Sequence, residues 1–314
     1  MATPVWQTTK GYRRLRPYTD LCTRTQFRKI TIEGKEKLPS SDAAVILAPN
    51  HSAGLIDPCM LLLISPRKAI AFGSRSDIFS NPKIASLLHW LRILPIARAR
   101  NGRDEVIKNH KTFADIIDCL RHGTPFCLYP EGTHYPSAGM LPLKKGVYRI
   151  ASMAAEQIED KEIYVVPVGV DYESFFREMR DAAVRIGEPI NFREFIKNHS
   201  ELTEVETIKA FLEELRNRDL SMIDKFETGK KKGRLPARIL LGIILLPLFI
   251  ANGAASVLIW APKAIIMHGI EDKAWSHTVE YGLHLALPIF WPFIMIFRLI
   301  ENFYFDIYTE LRNK

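Results

Sequence analysis

Short apolar runs alternate with helical patterns between residues 43 and 217. The runs have the length of buried strands and end near turn residues. They are Ala43–Ala48, Lys68–Phe72, Ile93–Ile96, Phe126–Tyr129, Ile163–Val168 and the weaker Ala183–Ile186. Apolar spacing typical of helices occurs at Cys59–Ile64, Asp104–Arg121, Val147–Gln157 and Glu204–Asn217. This alternation predicts an α/β fold with a mixed sheet flanked by helices.

A different pattern begins at residue 239. No charged residue occurs from Ile239 to Pro262, a run long enough to cross the ~30 Å hydrocarbon layer of a membrane. A second uncharged run, Tyr281–Phe297, is shorter and contains Pro288 and Pro292, so it can span, re-enter or lie in the interface. The pattern predicts a C-terminal hydrophobic membrane hairpin. Two core helices of a soluble domain are the alternative.

Charge divides the rest of the chain. Residues 1–37 form a predicted basic, partly helical arm, either on a membrane surface or packed on the domain that follows. We predict the α/β domain at residues 38–225, a basic linker at 226–238, and the membrane-associated hairpin and tail at 239–314. Lys230–Lys232, Arg234 and Arg238 precede the first apolar run. The positive-inside rule therefore predicts that the α/β domain faces the cytoplasm.

The overall charge narrows the class of partner. The 314 residues include 43 Lys and Arg against 35 Asp and Glu, a net charge of +8. Basic patches suit phosphate-bearing partners, whether nucleic acid, anionic lipid or a phosphorylated small molecule. The cysteines Cys22, Cys59, Cys119 and Cys127 form no C-x-x-C pair, so the sequence indicates neither a disulfide framework nor a zinc site.

The candidate chemistry is concentrated in the loop after the first buried strand. His51 and Asp57 lie there, and loops at strand ends commonly hold the chemistry of α/β proteins. A carboxylate that holds one ring nitrogen fixes the imidazole tautomer, so the other nitrogen can take a proton from a hydroxyl. Six residues would place the pair on nearly opposite faces of a helix (~100° per residue), so the pairing requires a loop, which Gly54 permits.

A second polar segment follows the strand Phe126–Tyr129. Pro130 cannot continue a strand ladder, and Glu131, Gly132 and Thr133 come directly after it. The carboxylate of Glu131 can bind a polar acceptor, and the Gly132 turn can hold a phosphate. An ordinary strand-ending turn explains the same residues.

Basic side chains follow two of the predicted strands. Arg98 and Arg100 come after Ile93–Ile96, and Lys144 comes after the Glu131 segment. Guanidinium groups suit bidentate phosphate contacts, which makes Arg98 the first candidate anion ligand. Plain surface positions are the alternative for all three residues.

Four blocks in order, over Ile30–Asp171, resemble the glycerolipid acyltransferases of the 1-acylglycerol-3-phosphate acyltransferase type. Asn50-His51…Asp57-Pro58 resembles their His–Asp block, and Ile96-Ala97-Arg98 the block with the arginine for the acceptor phosphate. Tyr129-Pro130-Glu131-Gly132-Thr133 resembles the F-P-E-G-T block. Val165-Val166-Pro167-Val168-Gly169 resembles the fourth block, a strand with a central proline near the acyl site.

The resemblance implies acyl transfer from acyl-CoA or acyl carrier protein to the hydroxyl of a lysophospholipid, foremost 1-acylglycerol 3-phosphate. It implies His51 as general base, Asp57 as its orienting carboxylate and Arg98 as the phosphate ligand, with Glu131, Gly132 and Thr133 shaping the polar pocket. Membrane lipid is then the expected partner, without nucleic acid, metal or organic cofactor. The oligomeric state stays open.

The chain departs from the common family pattern in three places. Five residues separate His51 from Asp57 where four are usual, Tyr129 replaces Phe, and His134 stands where Arg is usual. These differences bear on the identity of the acceptor, for which glycerol 3-phosphate and an acylated amino-acid lipid are the alternatives.

Two other classes of function stay open from the residues. One is a membrane esterase with a serine nucleophile, although no G-x-S-x-G elbow occurs. The other is a non-catalytic lipid-binding protein that acts through its basic arm and its apolar hairpin.

Overall fold

One mixed sheet flanked by helices forms the centre of the molecule. The computed structural model describes residues 3–40, 42–65, 69–97, 103–135, 139–175, 177–226, 234–270 and 275–312. Within these ranges the strands are β1 (Lys29–Glu33), β2 (Ala44–Pro49), β3 (Ala71–Arg75), β4 (Ile93–Ile96), β5 (Phe126–Cys127), β6 (Ile163–Tyr172), β7 (Asp181–Ile186) and β8 (Ile190–Asn191).

Four helices of the α/β domain lie where the sequence predicts a helical pattern, whereas two others, Pro82–Trp90 and Phe192–Asn198, are not among the predicted elements. The helices are α1 (Lys10–Thr25), α2 (Ile56–Leu62), α3 (Pro82–Trp90), α4 (Arg103–Arg121), α5 (Gly146–Gln157), α6 (Phe192–Asn198), α7 (Glu204–Leu220), α8 (Leu235–His268), α9 (Trp275–Ala286) and α10 (Trp291–Arg312). Thr203 begins α7 with a capping box that includes Glu206, which satisfies backbone N–H groups of the first turn.

The strand order is β1-β7-β6-β2-β5-β3-β4, and β8 pairs with β6. Strands β2, β3, β4 and β5 run parallel to their neighbours, and β6 is parallel to β2 but antiparallel to β7 and β8. The sheet is therefore mixed, as the sequence predicts. Because β2 and β5 are parallel, with Leu47 beside Cys127, the loops that follow these two strands leave the sheet at the same edge.

Alternate residues of β2 belong to two apolar clusters, one on each face of the sheet. Ile46 faces the cluster that contains residues of α4, α5, α6 and α7. Leu47 faces the cluster that contains residues of α1 and α2 together with Tyr281 of α9 and Trp291 of α10. The C-terminal helices thus supply part of the core of the α/β fold.

The sheet begins earlier than the predicted domain boundary at residue 38. Lys29–Glu33, which lies inside the predicted arm, is an edge strand parallel to β7. Its burial pattern is exposed at both ends, and charged residues stand at those ends. A short edge strand with charged ends lacks the apolar run that marks a buried strand.

The two C-terminal apolar runs have different structures. The first is a single helix, α8, and is the one described helix long and apolar enough by itself to cross a membrane. The second is broken near Pro288, where α9 and α10 meet at a bend of 97°. The Tyr281 hydroxyl lies 2.8 Å from the Thr23 hydroxyl of α1, and Thr25 lies 3.0 Å from Nε2 of His284. The second run therefore packs on the α/β domain.

The turn after β1 has a steric requirement that can be tested. Gly34 has φ +77°, and a Cβ on it would lie 2.3 Å from the carbonyl oxygen of Ile186. Gly34→Ala is expected to lower the free energy of unfolding by about 1–3 kcal/mol through strain at positive φ, with the clash adding to it. Thermal unfolding of the purified protein measures this change. Gly282→Ala in α9 is the control, because nothing lies within 4 Å of the new Cβ; equal loss in both variants would contradict the assignment.

Candidate active site

The loop between β2 and α2 is fastened to strand β6 by Asn50. The amide of Asn50 donates from Nδ2 to the carbonyl of Val170 at 3.0 Å, and its Oδ1 accepts the Val170 N–H at 2.7 Å. Asn50 is buried, so each of its hydrogen bonds replaces one that water would otherwise supply. This pair of bonds fixes the position of the residue that precedes His51.

The loop curls so that the Asp57 carboxylate faces back toward His51. Gly54 has φ +61°, the left-handed conformation that lets the loop turn. Oδ2 of Asp57 accepts the backbone N–H groups of Ser52 at 2.9 Å and Ala53 at 2.8 Å. The same oxygen lies 2.7 Å from Nδ1 of His51. The structure thus brings together the two residues that the sequence predicts as a pair, with the turn at Gly54.

The second oxygen of Asp57 has its own partner. The Tyr172 hydroxyl, at the end of β6, donates to Oδ1 at 2.5 Å. Asp57 is fully buried, and burial raises the pKa of Tyr172 well above its ordinary value, so this phenol stays a donor. The His51 side chain keeps 16% of its exposure. The carboxylate is therefore enclosed, whereas the imidazole it holds is accessible from outside.

The loop after β5 holds the backbone of His51. The two carboxylate oxygens of Glu131 accept the N–H groups of His51 and Leu141, each at 2.7 Å. Tyr135 donates its N–H to the His51 carbonyl at 3.1 Å, and the ring of Tyr129 stacks on the imidazole with centroids 3.9 Å apart. Burial raises the pKa of Glu131, whereas the N–H groups of Leu141 and His51 lower it. Both oxygens of Glu131 are thus occupied in positioning His51.

The remaining residues of this segment lie beside the same turn. Gly132 has φ +70°, and Cγ of Lys144 lies 3.6 Å from where its Cβ would be. Lys144 also donates its N–H to the Pro130 carbonyl at 2.7 Å, while Thr133 is exposed. Pro167 lies inside β6, and its carbonyl accepts the N–H of Gly187 at 3.0 Å. The structure therefore groups Lys144 with the Glu131 turn and places Pro167 within the sheet.

Arg98 and Arg100 lie outside the described residues. They follow β4, which is parallel to β3, and β3 is parallel to β5. The strand before these arginines therefore points toward the edge of the sheet that carries the His51 and Glu131 loops.

Helix α9 contacts the His51 loop directly, which the sequence does not indicate. The N–H of Leu55 donates to Oγ1 of Thr278 at 3.2 Å. The ring of Trp275 lies edge-on to that of His134 with centroids 6.0 Å apart, and the His134 ring lies 5.4 Å from that of His51. The C-terminal helices are thus part of the surroundings of the site.

A small, partly open cleft with about 20 Å³ of free space adjoins the loop. Its lining is mostly aromatic or aliphatic near the loop, with a charged rim at one end. The lining includes Phe27, Ala53, Ile56, Tyr172, Phe175 and Arg177. A space of this size holds about one water molecule, so it is not by itself a pocket for the hydrocarbon part of a ligand.

A family model described as Acyltransferase matches residues 29–171. The chain is 30% identical over 126 residues to the chloroplastic 1-acyl-sn-glycerol-3-phosphate acyltransferase LPAT1 of Arabidopsis thaliana, a match that covers 40% of this chain and 33% of that protein. It is 28% identical over 100 residues to glycerol-3-phosphate O-acyltransferase 1 of Saccharomyces cerevisiae, with 31% of this chain and 13% of that protein covered. The match thus spans about a third of the length of the Arabidopsis relative.

Among solved structures, the chain is similar to the 1-acyl-sn-glycerophosphate acyltransferase PlsC from Thermotoga maritima. The two align with a TM-score of 0.46 and 19% sequence identity. The alignment covers 67% of this chain and 78% of the other.

The bond from Tyr172 to Asp57 makes a prediction about stability. Tyr172→Phe leaves Oδ1 of a buried carboxylate without this donor, so the free energy of unfolding should fall by about 1–3 kcal/mol. Chemical denaturation measures the change. Tyr164→Phe, on the same strand, is the matched control, because no hydrogen bond of its hydroxyl occurs among the described residues. A Tyr172→Phe protein as stable as this control would show that the bond contributes nothing.

Proposed function

We propose, on the premise that residues 29–171 match the family model described as Acyltransferase, that the protein is an O-acyltransferase of glycerolipids. The proposed reaction moves a fatty acyl group from acyl-CoA or acyl carrier protein to the hydroxyl of a lysophospholipid. The acceptor proposed first is 1-acylglycerol 3-phosphate, with phosphatidate as the product. The observation that carries the proposal is the hydrogen bond of 2.7 Å between Nδ1 of His51 and the enclosed carboxylate of Asp57.

The arrangement suits a direct transfer with a general base. With the proton of its neutral ring on Nδ1, facing Asp57, the His51 imidazole has a lone pair on Nε2. Nε2 takes the proton of the acceptor hydroxyl as that oxygen bonds to the thioester carbonyl carbon. The tetrahedral intermediate then expels the thiolate, the carbon–sulfur bond breaks, and the imidazolium returns its proton to the sulfur. The products are the new ester and the free thiol.

Asp57 and Glu131 act in this proposal as positioning residues for His51. Asp57 fixes the tautomer and stabilises the imidazolium that forms during the transfer. Glu131 accepts the backbone N–H groups of both His51 and Leu141, and it thereby fixes the position of the His51 backbone at the sheet edge. A base held by its neighbours needs no reorganisation when the acceptor arrives.

Basic residues that follow β4 and the Glu131 segment in the sequence would bind the charged part of the substrates. We assign the acceptor phosphate to Arg98, supported by Arg100 and Lys144, because guanidinium and ammonium groups suit phosphate oxygens. Gly132 and Thr133 would form the wall of the polar pocket, and Pro167 the part of β6 nearest the acyl chain. The packing of Lys144 against the Gly132 turn supports this grouping.

The position of Ser52 favours acyl transfer over ester hydrolysis through a serine nucleophile. Ser52 is 3% exposed, and its hydroxyl is buried beside the loop backbone. A nucleophile must reach the carbonyl carbon of its substrate. This burial supports direct attack on the thioester by the acceptor hydroxyl.

The acceptor can be identified by product analysis. Purified protein would receive acyl-CoA or acyl carrier protein together with lysophosphatidate, glycerol 3-phosphate, other lysophospholipids or an acylated amino-acid lipid. Mass spectrometry of the products is expected to show phosphatidate first. Lipid binding without turnover across all donors would overturn the proposal and favour a non-catalytic lipid-binding protein.

The proposed location is a membrane, with the α/β domain on the cytoplasmic side. Helix α8 is apolar enough to enter a bilayer, and Lys230–Lys232 and Arg234 precede it. Positive residues beside an apolar segment favour the cytoplasmic face. The proposed partners are membrane lipid and the acyl donor, without nucleic acid.

Removing the base tests the mechanism. His51→Ala should lower kcat by about 10²–10⁴-fold, because the acceptor hydroxyl loses its proton acceptor. Membrane association should be unchanged. The control is His122→Ala at the end of α4, which should keep full turnover. Near-normal turnover in His51→Ala would remove this residue from the mechanism.

The phosphate assignment predicts a kinetic split. Arg98→Ala should raise KM for phosphorylated acceptors by about 10-fold or more with a smaller change in kcat, because it removes a charge-assisted contact made before and during the reaction. Steady-state kinetics with lysophosphatidate at varied concentration measure it. Arg149→Ala on the exposed side of α5 is the control. Identical kinetics in the two variants would refute the assignment.

A further inference from the structure

Helix α8 lies along α10 through the middle of its apolar run. A Cβ on Gly242 would lie 3.1 Å from the ring of Tyr304, and a Cβ on Gly253 would lie 3.1 Å from the ring of Phe297. The residue numbers rise on α8 as they fall on α10, so the helices are antiparallel. The midpoint of the uncharged run 239–262 therefore lies between the levels of Tyr304 and Phe297.

Helix α10 is held to the α/β domain at that same level. Arg298 donates to the Glu178 carboxylate at 3.2 Å, and Asn302 donates to the Glu178 carbonyl at 2.8 Å. Asp306 accepts from Arg180 at 2.8 Å. Arg298, Asn302 and Asp306 are spaced four apart, which places them on one face of α10. This face is the one that lies on the α/β domain.

These contacts determine how α8 can enter a bilayer. If α8 crossed the membrane, its midpoint would lie at the centre of the hydrocarbon layer. The ion pairs of Arg298 and Asp306, and the segment 177–181 of the α/β domain, would then be at the same depth. Charged groups and irregular backbone are excluded from that depth unless they are enclosed by protein or by a water-filled cavity. The Asp306 side chain is 20% exposed, and that of Arg28, which pairs with Asp181 at the end of this segment, is 47% exposed, so these groups are not enclosed by protein. A spanning orientation therefore conflicts with the packing of α10.

The outer side of α8 is apolar and open. Ile243, Ile244 and Ile265 are 65%, 66% and 75% exposed, and the exposed apolar residues continue onto α10 at Phe293 and Ile296. Large exposed apolar side chains repeated along a helix mark a contact with a membrane or with protein. The basic residues Lys230–Lys232 and Arg234 just before α8 complement anionic headgroups, which favours the membrane.

We infer that α8 lies in the plane of a single leaflet, with α10 between it and the α/β domain, and that both ends of α8 stay on the side of that domain. A helix of ~10 Å diameter fits within a hydrocarbon half-layer of ~15 Å. This inference rests on the membrane association in the proposed function, and it is independent of the chemistry at His51.

The arrangement also connects the proposed lipid-bound helix to the reaction site. Thr278 of α9 accepts the N–H of Leu55 in the loop that holds His51, and Lys263 of α8 is paired with Glu280, two residues further along α9. The leaflet-bound helix and the reacting loop are thus joined through α9. An acceptor lipid would reach the site from the leaflet in which α8 lies.

Single cysteine reporters test the orientation. Arg234→Cys and His268→Cys stand at the two ends of α8, and Ser200→Cys marks the surface of the α/β domain; all three positions are exposed. Sealed right-side-out and inverted vesicles from expressing cells are treated with a membrane-impermeant maleimide. The unsubstituted protein measures the background labelling of the four natural cysteines, of which Cys22, Cys119 and Cys127 are fully buried.

All three reporters should label in the same type of vesicle, and none in the other type until detergent is added. Labelling of Arg234→Cys and His268→Cys from opposite sides would show a spanning helix and overturn the inference. The readout does not need activity. An inactive protein with all reporters on one side would defeat the proposed reaction and leave the orientation standing.

A binding measurement separates the leaflet from a second copy of the chain as the occupant of the apolar face. The variant Ile243→Glu with Ile244→Glu should lose at least about 10-fold in co-sedimentation with vesicles of phosphatidylcholine and phosphatidylglycerol. The control pair, Leu202→Glu with Val205→Glu, changes exposed apolar residues of the α/β domain and should bind normally. Unchanged vesicle binding, or a lipid-free dimer that the α8 variant converts to monomer, would overturn the inference.

Discussion

The buried carboxylate of Asp57 is the group on which the geometry of the site depends. Its two oxygens accept hydrogen bonds from the His51 ring, from two backbone N–H groups of the loop and from Tyr172. A buried carboxylate without such partners is strongly unfavourable, so a loop conformation that breaks these bonds is disfavoured. The same four contacts that satisfy the charge therefore define the loop, aim the imidazole and connect both to the end of β6.

The sheet supplies the second half of this arrangement. Because β2 and β5 are adjacent and parallel, the loop that carries His51 and the loop that carries Glu131 leave the sheet side by side. Glu131 then joins the His51 backbone to that of Leu141. The His51 loop, the Glu131 segment and the end of β6 are thus held together by two carboxylates. Asp57 contacts the imidazole of His51, and Glu131 contacts its backbone N–H.

The sequence predicts those features that depend on neighbours along the chain. A separation of six residues between His51 and Asp57 requires a turn if the two are to pair, and Gly54 permits one. In the structure Gly54 has φ +61°, and Nδ1 of His51 lies 2.7 Å from Asp57. Tyr172 lies 115 residues from Asp57, and Thr278 lies 223 residues from Leu55, so no local sequence pattern predicts these two hydrogen bonds. The same limit explains β1, whose exposed and charged ends resemble an arm until β7 is placed beside it.

The C-terminal apolar segment shows the same difference between composition and packing. Composition identifies α8 as membrane-seeking, but it does not reveal that α9 and α10 separate α8 from the α/β domain. Tyr281 is fully buried against α1, and its hydroxyl meets that of Thr23. Truncating the chain after α7 would remove Tyr281 and Trp291 from the core. The apolar residues of α1, α2 and the sheet that they cover would then be exposed and prone to aggregation. Deleting the apolar C-terminal segment is therefore not a route to a water-soluble protein, because the same segment supports the loop that carries His51.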